Sequence, residues 1–235
     1  MEEKNTAIVL AAGKGKRMNS AVQKQYLQIK GFPVLYYSLK QFQECPFIDE
    51  IILVTGKDEI RYCREEIVEQ YGITKVKKIT AGGVERYLSV YEGLKAAGDC
   101  DYVYIHDGAR PFLTQDILKR VREGVCRYEA CVAGMPVKDT IKISNGDGFA
   151  DNTPPRDHVW MVQTPQAFRY REILDAYAGI IEKGQTAVTD DAMVLEAMTG
   201  KKSRLVPGSY ENIKITTPED MEIAGVFAQR MGTET

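Results

Sequence analysis

Short β-branched or aromatic runs alternate with amphipathic helical segments along this chain, and few folds accommodate that order. Strands are predicted at 6–12, 50–55, 76–80, 102–106 and 130–135. Helices are predicted at about 33–43, 58–71, 86–97, 114–127, 170–183, 190–199 and 217–230. Tyr87, Val90, Tyr91 and Leu94 share one helical face. Leu118, Val121 and Val125 share another, behind Thr114, a residue type that caps helix N-termini. Such alternation packs as a mostly parallel sheet covered on both faces. At 235 residues and 44% hydrophobic, the chain can bury one sizeable core, so a single α/β domain over 1–235 is expected.

One stretch breaks the rhythm. Residues 137–162 show no helical period. Val137–Ser144 and Val159–Val162 flank Asn145-Gly146-Asp147-Gly148, a strong hairpin turn signal, and Thr153-Pro154-Pro155-Arg156 follows the turn. The expectation is an extended β-arm projecting from the body; a long surface loop is the competing reading. Insertions of this length often serve as lids or dimer contacts.

The first strand runs into Gly13, Lys14, Gly15, Lys16 and Arg17, with Lys24 a few residues on. Small residues let backbone N–H groups approach an anion, and the cations offset its charge, so this is a place for phosphates. A P-loop is excluded, because Gly13 and Gly15 are too close together and Arg17, not Ser or Thr, follows Lys16. The dinucleotide fingerprint is excluded too: Met18 stands where its third glycine belongs, and the second strand ends in Thr55-Gly56 without an acid. The plain alternative is a strand–turn–helix link with surface lysines. Lys24 and Arg17 together weigh against it.

Net charge is −2, which excludes a broad basic field for nucleic acid or a polybasic membrane patch. No apolar run reaches the ~18 residues of a membrane span. Met1-Glu2-Glu3-Lys4 lacks a signal-peptide layout. Five scattered cysteines form no C-x-x-C pair, and with two histidines a zinc site is not expected. These features suit a reduced, cytoplasmic protein.

Open α/β sheets bind ligands at the carboxyl ends of their strands. That rule gathers the first loop, Ala81-Gly82-Gly83-Val84-Glu85-Arg86 with Ser89, and His106-Asp107-Gly108-Ala109-Arg110-Pro111 around one crevice. Asp107 suits Mg²⁺, which is usually held by one or two carboxylates plus substrate phosphates. Asp-Gly is also a common turn pair, so both readings stay open. His106 is expected to pack at the strand end, not to bind metal. Gly82-Gly83 reads as a tight turn or as room for a nucleobase or sugar. Asp190-Asp191 reads as a helix N-terminus, where acids favour the dipole, and stays outside the site. Trp160 is expected to pack.

AAGKGKRM, KQYL, AGGVERYLSV, HDGARPF, PVKDTIK, WMVQTPQAF, TDDA and NIKITTPEDM occur in this order, within a match that runs from Ile8 to Ala224. In these motifs the chain resembles the 2-C-methyl-D-erythritol 4-phosphate cytidylyltransferases. Ribitol-5-phosphate cytidylyltransferases are similar, but tend to carry a second glycine at the place of Ala12 and a valine at that of Ala109. The resemblance implies a Rossmann-like three-layer fold of the sugar-nucleotide transferase type. It also implies transfer of CMP from CTP to methylerythritol phosphate, with Mg²⁺ or another divalent cation. The nucleophile would be the acceptor's own phosphate oxygen. With a second pKa of about 6 it is mostly ionised at pH 7 and needs no general base.

Residue by residue, the resemblance assigns Ala11, Ala12 and Gly13 to the nucleotide, and Arg17 and Lys24 to the triphosphate and transition state. Gly82 and Ser89 go to cytosine and ribose. Asp107 and Ala109 lie between nucleotide and acceptor, with Asp107 tied to metal and to acceptor hydroxyls. Lys214 reaches the phosphates, and Thr140, Arg156 and Thr164 serve the acceptor. In the family the arm crosses a homodimer interface, so Thr140 and Arg156 would complete the partner's site. From the residues alone, Lys214 reads better as an exposed strand lysine, Arg156 as an ordinary loop arginine, and Arg110 as a brace for Asp107 or a substrate contact. The alternatives are a cytidylyltransferase for another polyol phosphate and a nucleotide-binding regulator without turnover. Retention of Arg17, Lys24 and Asp107 argues against the regulator.

Overall fold

The computed structural model describes residues 3–13, 15, 18, 22–184 and 187–230. Its first half holds β1 (Asn5–Ala11), the short pair β2 (Gln28–Ile29) and β3 (Phe32–Pro33), α1 (Val34–Glu44), β4 (Glu50–Thr55), α2 (Ile60–Tyr62), β5 (Val76–Ala81), α3 (Arg86–Ala97) and β6 (Tyr102–Asp107). The second half holds α4 (Gln115–Tyr128), β7 (Ala130–Pro136), β8 (Ile143–Ser144), β9 (Ala150–Asn152), β10 (Trp160–Arg169), α5 (Tyr170–Glu182), α6 (Asp191–Thr199), β11 (Arg204–Pro207) and α7 (Pro218–Arg230). The predicted helices and strands are present, most within a residue or two of their expected ends. The exception in kind is 58–71, where α2 gives way to wider π-helical winding over Cys63–Glu69.

A seven-stranded sheet in the order β11-β7-β10-β6-β1-β4-β5 forms the middle layer. Side chains alternate across it. Ala7, Val9, Ile51, Leu53 and Tyr104 face α1, the π-helical segment Cys63–Glu69 and α4, whereas Ile8, Ile52, Val54, Val103 and Ile105 face α3, α5 and α6. Both sets are buried, so each strand reads as a nearly continuous apolar run. Burying a side chain of this size contributes roughly 1.5–3 kcal/mol. A third cluster, with Ile29, Val34, Phe112 and Ile215, seats α7 beside the β2–β3 pair. Thr114 caps α4 as expected, its hydroxyl accepting from Ile117 N–H. Among the described residues, no helix is long and apolar enough to cross a membrane.

The sheet departs from expectation in two strands. β10 runs antiparallel to both neighbours, β6 and β7. It contains Val159–Val162's last residues, which were expected in the arm: Trp160, Met161 and Val162 pair with Pro136, Met135 and Gly134 of the main sheet. The chain leaves β7, makes the arm, and returns beside the strand it left, which forces the antiparallel direction. The arm itself is the smaller pair β8–β9. Its turn is as predicted, with Gly146 (φ 93°) and Gly148 (φ 88°) supplying the positive φ that such a turn demands. β11, on the sheet edge beside β7, has no counterpart among the predicted strands.

Candidate active site

β1 and β6 are parallel neighbours, so their carboxyl ends emerge side by side, with Leu10 opposite Asp107. Together with the loop after β5 they wall a crevice of about 480 Å³, within the range of small-molecule sites. Ala11, Ala12, Gly13 and Gly15 form one wall, and Gly83, Val84, Glu85 and Ser89 the other. The walls meet tightly at Gly82, where a Cβ would lie 2.6 Å from Ser89 Oγ and 2.7 Å from Ala12 Cβ. Ser89 ties its own loop: Gly83 N–H donates to Ser89 Oγ at 3.1 Å.

Charge is concentrated on the crevice floor. Lys214 Nζ lies 2.7 Å from Asp107 Oδ2, and Arg86 Nε lies 3.1 Å from Asp107 Oδ1. Burial disfavours the Asp107 carboxylate, but Arg86 and Lys214 outweigh it and hold the group well below the usual carboxylate range. Arg86 also donates from Nη1 and Nη2 to Asp191, at 2.7 and 2.9 Å. Asp191 is wholly buried and accepts from Tyr177 O–H at 2.5 Å. Although desolvation opposes it, the neighbouring Asp191 and Asp107 charges raise the Arg86 pKa well above its ordinary value.

Behind Asp107 runs a neutral relay. Asp107 N–H donates to Thr164 Oγ1 at 3.0 Å, and Thr164 Oγ1 lies 3.0 Å from His106 Nδ1. His106 Nε2 lies 3.1 Å from the Arg110 carbonyl, which can only accept. The proton therefore sits on Nε2, and Nδ1 accepts from Thr164. Burial pushes the His106 imidazole down to about 4, so it stays neutral. It packs edge-on against Phe42, as a strand-end residue was expected to do.

Lys24 is fixed from several sides. Its Nζ donates to the Ile215 carbonyl at 3.0 Å. Next to it, Gln25 is buried and donates to the Ala11 carbonyl at 2.6 Å. Tyr26 O–H donates to Glu59 at 2.8 Å, and Gln23 donates to the same carboxylate. Residues 212–215 are held by Arg110 Nη1, which donates to the Asn212 carbonyl at 2.8 Å, and by Ile215 N–H, which donates to the Ala109 carbonyl at 2.8 Å. Arg110 thus braces the Lys214 segment by hydrogen bonding, and its charge also helps to hold the Asp107 carboxylate ionised.

Of the residues singled out in the sequence, Ala11, Ala12, Gly13, Lys24, Ser89, Asp107, Ala109 and Lys214 line the crevice. Gly82 lies directly behind its wall. Thr164 is buried beneath Asp107 with its hydroxyl in the relay. Arg17 lies outside the described residues. Thr140 and Arg156 are exposed on either side of the β8–β9 pair and do not line the crevice of their own chain, and Arg156 Nη1 donates to the Lys138 carbonyl at 3.2 Å. Lys214 is not the plain strand lysine that the residues alone favoured; it ends in an ion pair.

Sequence reasoning missed Arg86 and Asp191. Asp190 is the helix cap that was expected, accepting from Met193 N–H, but Asp191 turns inward to Arg86. A signal for Arg86 was available. It opens α3, where the helix dipole disfavours a cation, so a cation there needs anionic partners. Among the described residues, no group of three or more His, Cys, Asp and Glu side chains is placed to hold a metal. Two carboxylates, Asp107 and Glu85, line the crevice. That donor set fits a divalent ion held partly by substrate, not one in an all-protein cage.

Comparison with known proteins agrees with this geometry. The family model described as 2-C-methyl-D-erythritol 4-phosphate cytidylyltransferase matches residues 5–230. A protein of that name from Lachnospira eligens is 53% identical over 224 residues, covering 95% of this chain and 98% of its own. One from Clostridium botulinum is 53% identical over 229 residues, covering 97% and 99%. The crystal structure of 4-diphosphocytidyl-2C-methyl-D-erythritol synthase from Anaerococcus prevotii superposes with a TM-score of 0.86 at 35% identity, covering 97% of each chain. That of 2-C-methyl-D-erythritol 4-phosphate cytidylyltransferase from Thermus thermophilus gives 0.75 at 29% identity, covering 97% of this chain and 100% of its own. With a match along nearly its whole length and a shared fold, the chain belongs to the 2-C-methyl-D-erythritol 4-phosphate cytidylyltransferase family.

Proposed function

We propose that this crevice transfers CMP from CTP to 2-C-methyl-D-erythritol 4-phosphate, giving 4-diphosphocytidyl-2-C-methyl-D-erythritol and pyrophosphate. The carrying observation is the convergence of Lys24, Arg86, Lys214 and Asp107 beside a glycine- and alanine-lined wall. Two polyanions must meet there, and fixed cations reduce their repulsion and stabilise charge at the α-phosphorus and on departing pyrophosphate. The backbone of Ala11, Ala12 and Gly13 cradles the nucleotide, and Gly82 and Ser89 shape the pocket for base and ribose. Ala109 adds backbone contacts. Lys24 and Arg17 hold the triphosphate. Lys214 leaves Asp107 for the acceptor phosphate, whose ionised oxygen attacks without a general base. Asp107, with Glu85 nearby, would hold Mg²⁺ together with the substrate phosphates, and the ion supplies further neutralisation of the triphosphate.

The protein acts as a cytoplasmic homodimer in this reading, and the arm completes the partner's acceptor site through Thr140 and Arg156. Both residues are exposed and neither lines the crevice of its own chain. The hairpin also presents Ile143 (48% exposed) and Phe149 (73%) to solvent, and a lone two-stranded hairpin is marginal without a surface to pack on. Arginine suits a phosphate because its fork reaches two oxygens.

Pyrophosphate release from CTP, measured with methylerythritol phosphate and with ribitol 5-phosphate, tests the reaction. A higher kcat/KM for ribitol 5-phosphate would reassign the acceptor and leave the chemistry intact. Co-refolding Lys24→Ala with Arg156→Ala tests the shared site. Random pairing gives half mixed dimers, each with one doubly defective and one intact site, so activity returns to roughly a quarter of wild type. No recovery with mixed dimers present would refute it.

A further inference from the structure

Arg86 sits between two carboxylates from distant parts of the fold. Asp107 ends β6 at the crevice, whereas Asp191 lies in the first turn of α6 and is fully buried. The guanidinium gives Asp191 its paired Nη1 and Nη2 edge and leaves Asp107 only Nε. Because the group is planar, seating one edge fixes where the remaining N–H points. Tyr177 O–H fixes Asp191 in turn. Stability alone does not call for this arrangement, since well-packed apolar residues often replace a buried ion pair without loss.

Arginine and carboxylate favour a two-pronged contact. Freed from Asp191, Arg86 would close both prongs on Asp107 and occupy both of its oxygens. As built, Arg86 engages Oδ1, and Oδ2 is left to Lys214. We infer that Asp191, held by Tyr177, is a positioning residue that occupies the forked edge of Arg86 and so keeps one oxygen of Asp107 available to Lys214 and the acceptor. This inference rests on the acceptor lying at Asp107, as in the proposed reaction.

The test uses the full-length enzyme with Tyr177→Phe, Asp191→Asn and the double variant. Asp191→Asn is expected to raise the KM for methylerythritol phosphate and lower kcat, each by about fivefold or more, with the KM for CTP within about twofold of wild type. Tyr177→Phe should give a weaker change of the same kind. The double variant should be no worse than Asp191→Asn, because Tyr177 acts through Asp191. A structural role alone would reduce the amount of folded enzyme, leave both KM values unchanged and make the two losses add; that result overturns the inference. Crystal structures of wild type and Tyr177→Phe judge it without turnover. Arg86 should swing toward a two-pronged contact on Asp107 in the variant, and an unmoved Arg86 would count against the idea even if Asp191→Asn fails to fold. A wild-type enzyme that releases no pyrophosphate with any polyol phosphate sinks the functional reading instead, and the Tyr177→Phe structure still decides the role of Asp191.

Discussion

Lys214 Nζ rests 2.7 Å from Asp107 Oδ2, a contact between residues 107 positions apart in the chain. The pair stores a cation at the place where phosphate is expected, on an anion that can release it. Incoming substrate exchanges one partner for another, so little net charge has to be desolvated afresh. Fixed in advance, such groups need no reorganisation when charge develops.

Lys24→Ala and Lys214→Ala should therefore each lower kcat by roughly 10²-fold or more. Arg17→Ala should do the same if, as proposed, it holds the triphosphate with Lys24. Steady-state pyrophosphate release at saturating CTP measures it. A near-wild-type kcat would remove that side chain from the machinery.

Stability should fall on mild acidification, and His106 sets the sign. In the unfolded chain the imidazole protonates near its ordinary 6.5, whereas in the fold it resists until about 4. Between those values the unfolded state binds more protons, so stability is full above 6.5 and declines as pH drops. The loss between pH 7 and pH 5 is roughly 2 kcal/mol. Asp107 acts in a separate, lower window. Its depressed pKa stabilises the fold above its ordinary 3.8 and ceases to help only as pH falls below that. Urea midpoints at pH 7 and 5 for wild type and His106→Asn check the assignment, since the variant should show the flatter dependence.

Gly93→Ala should destabilise the fold by about 1–3 kcal/mol, as overpacking does. The added Cβ would lie 2.5 Å from Ile8 Cγ2 and 2.9 Å from Val54 Cγ2, where α3 rests on the sheet. Both valine and isoleucine are fully buried, with no room to turn aside. An unchanged denaturation midpoint would mean that α3 can lift off without cost.

Phe149→Asp should split the homodimer proposed above. Phe149 and Ile143 are large apolar side chains exposed on a hairpin that packs on little of its own chain. Sedimentation of wild type as a two-chain particle, and of the variant as one chain, is the expected pair of results. A variant that stays dimeric would move the interface elsewhere.

Local patterning made most of the body legible. The α3 apolar face and the buried strands carry their periodicity in consecutive residues, and the structure places α3 at Arg86–Ala97 as read. β10 was misread because its pairing is settled by the return of the arm, not by its own residues. β11 offers four residues, two of them Arg204 and Pro207, and no apolar alternation. Within the site, loops at strand ends were visible as motifs, but the ion pairs were not. Arg86 and Asp191 are 105 positions apart, and nothing near either one names the other.

The segment 212–215 closes the crevice from the far end of the sequence. Lys24 finds the Ile215 carbonyl across 191 positions. A ribosome therefore finishes every strand of the sheet before it delivers the residue that pairs with Asp107. A nascent or clipped chain ending short of residue 212 would own the glycine- and alanine-lined wall and an Asp107 paired with Arg86 alone. The order of synthesis thus acts as a safeguard: CTP meets a competent set of charges only once the sheet that must carry them is already in place.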